Sequence, residues 1–415
     1  MPLKVVVVGA GLAGLGAAIA LNRAGHDVEV LEQSSFLNEV GAAIHVAPNA
    51  TRILRDWGCD FDSLQAVQCK RLQVWDSTAN LIYTPVVTEV QQRTLGISDD
   101  WVLTHRVDLH NTLRATAARE VDGRKPNIRL CSRVVSVDAE AGVVSLECGE
   151  TVTGDVIIGA DGIHSRSVKG VTGEEPCKVS TGQNCFRFLV PVSKMLADPE
   201  TAALVQKLGL DGVHAIASED RRLVLYPCRG GDLLNVAGIY PAEPGSTVKD
   251  SSWLEGGSME TLLETYQSFS PALQAMCRQA EDLKLWSLAS RVPPTTFVKG
   301  KLALVGDAAH PTLPHQGQGG AQSFEDGAAL GAVFTSCTTP EQVPQRLELY
   351  NRVRYNRAIT VQFMSKTHDE KRGEMLDELR QFVPDAEVPK NMFAFTWSSY
   401  PAREAERLLV EGAAA

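Results

Sequence analysis

KVVVVGAGLAG, the segment formed by residues 4–14, carries the clearest structural signal in this chain. Its first part, residues 4–8, is a β-branched apolar run of the kind that forms a parallel strand buried on both faces. The alanine- and leucine-rich stretch that follows, as far as residue 24, predicts a helix, and Gly25 is its expected C-terminal stop. Residues 28–31 form a second apolar run. The order strand, helix, strand predicts a nucleotide-binding unit of an α/β domain.

Three glycines give this unit the G-x-G-x-x-G spacing of a dinucleotide-binding turn. Gly9 permits the tight turn, Gly11 lets the backbone approach a pyrophosphate, and Gly14 lets the helix pack closely on the strand. The free N–H groups and the partial positive charge of the helix N-terminus then face the phosphates. Glu32 lies 18 residues after Gly14, where a carboxylate binds a ribose hydroxyl pair, so FAD or NAD is favoured over a 2′-phosphorylated nucleotide. A glycine-rich turn without a ligand is the alternative.

Composition excludes several classes of protein. The 415 residues include 50 acidic and 40 basic side chains, a net charge of −10 that argues against general nucleic-acid binding. The length predicts about two to three domains, or one large α/β body with insertions. Nine cysteines without a C-x-x-C pair are typical of a reduced intracellular protein, so we expect a cytoplasmic location and no metal site. Residues 5–21 lack charge and superficially resemble a signal peptide, but four glycines interrupt them, and no stretch is long enough to span a bilayer.

The middle of the chain predicts a second, β-rich domain. Residues 70–90 and 180–240 contain short alternating segments separated by Gly, Pro and Asp, which are typical of antiparallel strands. Residues 151–158 and 301–305 are two further apolar strands. The nucleotide-binding domain is therefore expected to be discontinuous, formed by residues 1–70, 100–175 and 290–340, with residues 71–99 and 176–289 as an inserted substrate domain and residues 341–415 as a C-terminal helical segment.

Two more motifs follow these later strands. Residues 159–165 have the sequence GADGIHS, and residues 306–311 have the sequence GDAAHP. Together with the first glycine motif they resemble, in kind and in order, the flavoprotein aromatic hydroxylases, the single-component FAD monooxygenases typified by p-hydroxybenzoate hydroxylase and salicylate hydroxylase. The resemblance extends from about residue 4 to about residue 360. A second G-x-G-x-x-G is absent, which fits a family without a separate Rossmann domain for NAD(P)H and argues against the two-nucleotide disulfide reductases.

The resemblance implies an α/β fold: a Rossmann-like FAD-binding domain of the p-hydroxybenzoate hydroxylase type, an inserted antiparallel β-sheet that binds substrate, and C-terminal helices. It implies FAD as bound cofactor and NAD(P)H as co-substrate. Asp161 and Gly162 match the motif near the FAD pyrophosphate and the NAD(P)H path, and Asp307 matches the acid that holds the ribityl chain. Arg106, in the segment HRVDL at residues 105–109, matches an arginine that approaches the FAD, and a surface helix cap is the alternative for it.

Two segments, residues 41–50 and 311–320, match those that pass beside the isoalloxazine ring. In the second, PTLPHQGQGG, glycines let backbone N–H groups approach the flavin, and the helix that begins there stabilises negative charge on the reduced ring. His315 is either a flavin-facing base or a solvated loop residue, and His45 either touches the flavin or packs beside it. His310 is expected to be structural, bonded to the backbone. The expected cofactor-binding residues are Gly9, Gly11, Leu12, Ala13, Gly14, Glu32, Gln33, Ala43, His45, Arg106, Asp161, Gly162, Asp307, Pro314, Gly317, Gly319 and Gly320.

Substrate-binding residues are expected on the inserted sheet. In the segment FRF at residues 186–188, strand alternation places Arg187 on one face and both phenylalanines on the other. Related hydroxylases of phenolic polyketides bind the phenolate with an arginine and a tyrosine of this domain. By this resemblance the catalytic candidates are Arg187 and Tyr226, with Tyr240 as the alternative tyrosine and His315 as a further candidate. An arginine within about 4–6 Å lowers the pKa of a phenol by about one to three pH units, whereas pairing of Arg187 with a surface acid is the alternative.

These observations predict an NAD(P)H- and O2-dependent FAD monooxygenase that hydroxylates a small aromatic, preferentially phenolic, substrate through a flavin C4a-hydroperoxide. The expected partners are the aromatic substrate, NAD(P)H and O2, with no nucleic acid and no membrane span, and the chain is expected to be a monomer or a homodimer. Epoxidation, halogenation or reduction on the same scaffold is the first alternative, although the W-x-W-x-I-P segment of related halogenases is absent. A non-catalytic FAD-binding protein is the second. Residues 341–380 are expected to form a solvated helix pair or a dimer surface.

Overall fold

The computed structural model describes residues 1–35, 41–242, 257–366 and 369–413. Its strands, in chain order, are β1 (Lys4–Val8), β2 (Asp27–Leu31), β3 (Ala43–Val46), β4 (Val67–Gln68), β5 (Arg71–Asp76), β6 (Leu81–Val87), β7 (Val102–His105), β8 (Asn127–Arg129), β9 (Val134–Asp138), β10 (Val143–Leu146), β11 (Thr151–Thr153), β12 (Val156–Gly159), β13 (Lys178–Pro191), β14 (Gly212–Ala217), β15 (Arg222–Cys228), β16 (Leu233–Pro241), β17 (Glu281–Arg291), β18 (Val298–Lys299) and β19 (Leu302–Leu304). Its helices are α1 (Leu12–Arg23), α2 (Pro48–Asp56), α3 (Thr88–Leu95), α4 (Arg106–Ala117), α5 (Ser167–Thr172), α6 (Val192–Ala197), α7 (Pro199–Leu208), α8 (Met259–Thr265), α9 (Pro271–Arg278), α10 (Gly319–Phe334), α11 (Val343–Met364), α12 (Leu376–Arg380), α13 (Met392–Trp397) and α14 (Pro401–Ala413).

A six-stranded sheet contains the nucleotide-binding motif. Its strand order is β18-β19-β12-β1-β2-β8, and its strands pair in parallel except for the edge pair β18–β19. The four valines of β1 are all buried, as is typical of a parallel strand covered on both faces. The predicted strand–helix–strand unit is confirmed as β1, α1 and β2, with the helix ending at Arg23.

A seven-stranded sheet, which we call the substrate sheet, has the order β17-β13-β16-β15-β14-β5-β6. Its neighbouring strands are antiparallel except for the parallel pair β14–β5. The predicted antiparallel sheet is therefore confirmed, with one parallel pair. Its outer face, which carries Phe186 and Phe188, packs on α7, α8 and α9. The division of the chain into domains stays a prediction, and residues 36–40, 243–256, 367–368 and 414–415 of the predicted ranges lie outside the described residues.

Two further sheets of the described residues have three strands each. The sheet β11-β10-β9 is a small antiparallel unit. The sheet β3-β7-β4 shares a buried core with the inner face of the substrate sheet, in which Ala43 and Leu103 pack together with Tyr226. This contact places β3 between the nucleotide-binding part of the chain and the substrate sheet.

Helix α10 packs against α1 at unusually short range. A Cβ atom added at Gly327 would lie 2.9 Å from the carbonyl carbon of Gly16, and one added at Gly331 would lie 3.0 Å from Cβ of Ala20. Side chains at these glycines would therefore force the two helices apart. The close approach brings the start of α10, which follows the loop at residues 311–318, to the helix of the G-x-G-x-x-G motif.

Helix α11 overturns the expectation that residues 341–380 form a solvated surface. Most of its second half is buried, and Arg354 and Tyr350 have no exposed surface, whereas Arg352 is exposed. The charge of Arg354 is tolerated in the interior because carboxylates of α10 face it. Local sequence does not show such a partner, which lies about 30 residues away along the chain.

Glu325 and Asp326 of α10 bind two arginines of α11. Arg354 donates through Nε to Asp326 at 2.7 Å and through Nη1 to Glu325 at 2.6 Å. Arg357 donates to both oxygens of Glu325 at 2.7 Å. Burial opposes ionisation of the two carboxyl groups, but the nearby positive charges outweigh it and hold the pKa of each below its usual value. We call these four residues the buried ion network.

Asp326 also fixes the GDAAHP turn. Its Oδ2 atom accepts from the backbone N–H of Gly306 at 2.8 Å and is hydrogen-bonded to Nε2 of His310 at 2.8 Å. The expectation that His310 bonds to the backbone is therefore wrong, although its role is structural. One buried carboxylate thus connects α10, α11 and the turn that begins at Gly306.

The described residues contain neither a helix suited to cross a membrane nor a cluster of metal-ligating side chains. None of the helices there combines the length and the apolar character that crossing a bilayer requires. No group of three or more His, Cys, Asp and Glu side chains in that part of the chain is arranged to hold a metal ion.

Arg354→Met is expected to lower the free energy of unfolding by about 3–5 kcal/mol, because it removes the one guanidinium group of the buried ion network that binds both Glu325 and Asp326. Urea denaturation at pH 7 measures the change. Arg352→Met, on the exposed side of the same helix, is the matched control, with an expected change within about 0.5 kcal/mol. Equal stability of the two variants would contradict the role given to the network.

The stability of the fold is expected to fall in acid because of His214. This side chain has no exposed surface, and burial, with a smaller contribution from the charge of Arg71, lowers its pKa to about 4. The unfolded chain binds this proton near pH 6.5, so stability is complete above that pH and falls by about 1.4 kcal/mol per pH unit toward pH 4. Denaturation of His214→Gln at pH 7 and pH 5 should show a weaker pH dependence than the parent protein, whereas His164→Gln, an exposed control, should not. An unchanged dependence in His214→Gln rules out this contribution.

Candidate active site

The glycine turn after β1 is shaped for close backbone approach. Gly9 has φ +98°, and a Cβ there would lie 2.7 Å from the carbonyl oxygen of Ala160. At Gly14 a Cβ would overlap the carbonyl oxygen of Gly9, so the helix lies directly on the turn. At Gly11, by contrast, a Cβ would meet nothing within 4 Å. Helix α1 starts at Leu12 without a side-chain cap and without an acidic residue in its first turn, so its N–H groups remain available to an anion.

Glu32 directly follows β2 and lies beside this turn. Its Oε2 atom accepts from the backbone N–H of Ala10 at 2.8 Å, and Oε1 accepts from the N–H of Ser34 at 2.7 Å. The carboxylate is therefore held at the glycine turn, where the ribose of a dinucleotide is expected. Gln33, the next residue, is exposed.

Asp161 orders the loop that follows β12. Its carboxylate accepts from the hydroxyl of Ser165 at 2.6 Å and from the backbone N–H groups of Arg166 and Ser167 at 2.7 and 3.0 Å. It therefore caps the start of α5. Gly162, with φ +74°, makes the turn and has open space on its Cβ side.

Asp307 lies in a recess next to the glycine turn. A Cβ at Gly306 would lie 2.6 Å from Cβ of Ala13, which shows how closely the two motifs approach. The Asp307 side chain keeps solvent-accessible surface, yet the protein around it raises the pKa of its carboxyl group by desolvation, against the charges of His310, Arg291 and Arg106. The predicted residues Arg106 and Asp307 therefore face the same recess.

Arg291 is a member of this site that the sequence did not reveal. It is 2% exposed and donates through Nη2 to the carbonyl oxygens of Asp307, at 3.1 Å, and of Ala308. Its Nε and Nη1 atoms have no hydrogen-bond partner among the described residues. Burial lowers the pKa of its guanidinium group, and the charges of Asp307 and Asp161 oppose that effect. A single arginine at the end of a strand carries no motif that could have marked it.

These features fit an anionic dinucleotide such as FAD. A diphosphate needs hydrogen-bond donors and room to approach the backbone. The uncapped N-terminus of α1 and the unpaired Nε and Nη1 atoms of Arg291 are such donors. The open side of Gly11 provides the room. Glu32 is placed for its ribose, and Asp307 lies in the adjoining recess. The fit rests on the donor set and not on any one residue.

The loop at residues 311–318 leads into α10, which also lacks a side-chain cap. Gly317 has φ +57°, and a Cβ there would overlap the imidazole of His45. Gly319 and Gly320 would bring a Cβ to 2.9 Å from Oγ1 of Thr312 and to 3.0 Å from Cδ1 of Ile44. The end of the loop and the start of α10 therefore have no room for larger residues at these three positions.

Two hydrogen bonds anchor this loop on the end of α11 and just beyond it. Leu313 N–H donates to Oγ of Ser365 at 3.0 Å, and Nε2 of Gln316 donates to the carbonyl oxygen of Met364 at 2.6 Å. Pro314 lies half-buried between them.

β3 is tied to the substrate sheet through Ala43. Its N–H donates to Oδ1 of Asn235 at 3.0 Å, and its carbonyl oxygen accepts from the hydroxyl of Tyr226 at 2.8 Å. Burial raises the pKa of the Tyr226 hydroxyl far above its usual value, so Tyr226 is a neutral donor. Two residues further along β3, the half-buried His45 accepts a hydrogen bond at Nδ1 from Nε1 of Trp101 at 3.1 Å.

The register of the substrate sheet separates the two candidate tyrosines. Arg187 pairs with Ala237 and Tyr226 pairs with Asn235, so both side chains lie on the inner face. Tyr240 pairs with Asn184 and lies on the outer face, where its ring stacks on Phe186 at 5.1 Å between centroids. This register corrects the alternative in which Tyr240 joins Arg187 at one ligand. The predicted alternation of Arg187 against Phe186 and Phe188 is confirmed, because both phenylalanines are buried in the outer core.

A second arginine, Arg222, shares this inner face and was not predicted. It pairs with Ile239, which pairs with Cys185, and the charges of Arg187 and Arg222 both act on the Cys185 thiol. The guanidinium group of Arg187 also lies over the ring of Trp286, 5.1 Å from its centroid. His315 of the loop contacts the guanidinium group of Arg222, so it reaches the substrate sheet. The structure thus brings Arg187, Tyr226, His45 and His315 to the region between this sheet and the loop.

Comparison with known proteins agrees with this architecture. A family model described as "FAD binding domain" matches residues 2–364. The chain is 34% identical over 397 residues to the FAD-dependent monooxygenase cfoG of Aspergillus candidus, covering 93% of this chain and 90% of that protein. It is also 34% identical over 373 residues to hispidin-3-hydroxylase of Neonothopanus nambi, covering 86% of each. A solved salicylate hydroxylase in complex with its substrate has the same fold, with a TM-score of 0.74 at 23% identity over 97% of this chain and 98% of that one.

Gly11→Val is expected to abolish tight FAD binding without unfolding the protein, because the new side chain meets no protein atom near its Cβ but fills the space before α1. Loss of one or two charge-assisted phosphate hydrogen bonds, each about 1.5–3 kcal/mol, corresponds to a roughly 10- to 100-fold weaker affinity or more. Equilibrium dialysis of FAD and thermal denaturation without FAD measure the two effects. Gly14→Ala, whose Cβ overlaps Gly9, should instead lower stability itself. Stoichiometric FAD in Gly11→Val would show that the phosphates lie elsewhere.

Proposed function

We propose that this chain, which belongs to the family of FAD-dependent aromatic hydroxylases, the single-component flavoprotein monooxygenases, uses NAD(P)H and O2 to hydroxylate a small phenolic substrate. It is an FAD-dependent monooxygenase for an aromatic type of substrate. Our proposal concerns the electron donor, the phenolic nature of the substrate and the roles of individual residues.

One observation carries the proposal: the loop at residues 311–318 lies between the cofactor recess and the inner face that holds Arg187. Just before this loop, Gly306 brings Asp307 against the glycine turn. The loop itself reaches Arg222 through His315. A flavin whose phosphates bind at Gly11 is therefore expected to present its ring beside the substrate sheet. Bound FAD would accept electrons from NAD(P)H and, once reduced, would activate O2.

The inner face supplies the groups that prepare a phenol. Arg187 has no carboxylate among the described residues within 4 Å, and its charge lies over an aromatic ring that helps to orient it. A phenol beside this guanidinium group ionises more readily, and the phenolate is the better nucleophile. Tyr226 keeps its proton and fixes β3, so we assign it a positioning role. The relative named hispidin-3-hydroxylase supports a hydroxylation of this kind.

The decisive experiment is anaerobic stopped-flow reduction of the purified flavoprotein by NADH and by NADPH. It is run alone and with phenols, salicylates, kynurenine and hydroxynicotinates. We expect one nucleotide to reduce the flavin and one phenolic class to accelerate the reduction at least tenfold. Hydroxylated product after admission of O2 completes the assignment. If neither nucleotide reduces the flavin under any of these conditions, the proposed function fails. The protein is then a non-catalytic flavoprotein or one that receives electrons from another donor.

Arg187→Gln tests the substrate assignment in the same assay. The variant is expected to keep FAD and its basal reduction rate and to bind the accelerating phenol at least tenfold more weakly, because it loses the charge that stabilises the phenolate. Arg221→Gln is the matched control, since Arg221 is paired with Asp220 and bonded to the carbonyl oxygen of Thr265. Equal substrate affinity in the two variants removes Arg187 from the site.

A further inference from the structure

The imidazole of His45 lies where three parts of the molecule meet. Its ring is edge-on to Trp101, at 5.6 Å between centroids, and to Tyr226, at 6.2 Å. On another side it occupies the position that a Cβ of residue 317 would take. Trp101 directly precedes β7, Tyr226 belongs to the substrate sheet, and Gly317 belongs to the loop that leads into α10. His45 is therefore adjacent to both the expected flavin ring and the substrate-binding face.

The partner of Nδ1 determines which nitrogen carries the proton. An indole N–H is only a donor, and Nε1 of Trp101 lies 3.1 Å from Nδ1 of His45. Nδ1 must therefore present its lone pair. Burial lowers the pKa of His45 to about 4, so at neutral pH the ring is neutral and its single proton is on Nε2. That atom has no hydrogen-bond partner among the described residues.

The C-terminal helices hold the residue that sets this tautomer. Trp101 is 3% exposed and packs edge-on against Trp397, at 5.4 Å between centroids. Trp397 is 1% exposed and packs in turn against Phe393 of the same helix, α13. The indole of Trp101 therefore has little freedom to rotate its N–H group away from His45.

We propose that His45 is a hydrogen-bond donor of the active site, which offers its Nε2–H to an oxygen atom of the aromatic substrate and is held in that tautomer by Trp101. This inference rests on the proposed function and deepens it. A neutral donor adds to the charge of Arg187 without taking up the phenol proton. His45 is accordingly a donor and not the base of the reaction, and Trp101 is a positioning residue.

The tautomer is measured directly by ¹⁵N NMR of the imidazole in the FAD-loaded protein, with His45→Gln used to assign the signal. We expect the proton on Nε2 in the parent protein. Trp101→Phe keeps an aromatic ring but removes the donor, so it should give a mixture of the two tautomers. Trp397→Phe changes the packing and leaves the Trp101 N–H in place, so it should keep the parent tautomer. A proton on Nδ1 in the parent protein overturns the proposal.

Substrate binding separates a donor from a packing residue. The probe is the panel compound that most accelerates flavin reduction in the parent protein. His45→Phe is expected to raise its KM and dissociation constant about tenfold or more, with FAD content unchanged, because one hydrogen bond to a charged or polarised oxygen is lost. His45→Gln, whose amide N–H reaches a similar position, should restore affinity to within about threefold, and Trp101→Phe should lie between the two.

The outcomes distinguish this proposal from the proposed function. If the parent protein hydroxylates the probe and His45→Phe binds it equally well, only the role of His45 fails. The same holds if His45→Phe loses FAD and Trp101→Phe binds the probe as the parent does. If no compound accelerates reduction of the parent protein, the proposed function fails, and the role of His45 fails with it.

Discussion

The buried carboxylate of Asp326 is the constraint on which the cofactor side of this molecule depends. It accepts from the backbone of Gly306, binds His310 and pairs with Arg354. A charge taken out of water costs several kcal/mol unless its partners are complete, so these three contacts hold together or are lost together. The carboxylate of Asp326 therefore sets both the turn that carries Asp307 and α10, the helix that follows the loop at residues 311–318. Glu325, the neighbouring residue, extends the same constraint to Asn49 and Arg357.

A second constraint joins the substrate sheet to the cofactor side. Both backbone groups of Ala43 are bound by side chains of the sheet, Asn235 and Tyr226. Backbone N–H and C=O groups at the end of a strand normally form hydrogen bonds with a neighbouring strand. At Ala43 they bond instead to side chains of the substrate sheet. The distance between β3 and the face that carries Arg187 is therefore fixed by two hydrogen bonds. Tyr226, a predicted substrate-binding residue, donates its hydroxyl group to the carbonyl oxygen of Ala43.

The sequence predicts those parts whose signals are local. The strand–helix–strand unit, the GDAAHP turn and the alternation around Arg187 follow from runs, spacings and period, and the structure has each of them. The parts that escaped prediction depend on partners far apart in the chain. Arg291 and Arg222 have no motif, the burial of Arg354 depends on α10, and the choice between Tyr226 and Tyr240 depends on the pairing register of β13, β16 and β15. His310 was correctly expected to be structural but was given the wrong partner for the same reason.

Gly317 and His45 share a single volume. The imidazole occupies the space of a side chain at residue 317, and the backbone there, with φ +57°, already favours glycine. Position 317 therefore cannot gain a side chain while His45 keeps its place. As homologous sequences diverge, the two sites are therefore expected to exchange as a pair, with a small residue at position 45 wherever position 317 gains a side chain. Such covariation would make the contact between residues 45 and 317 visible in an alignment of homologous sequences.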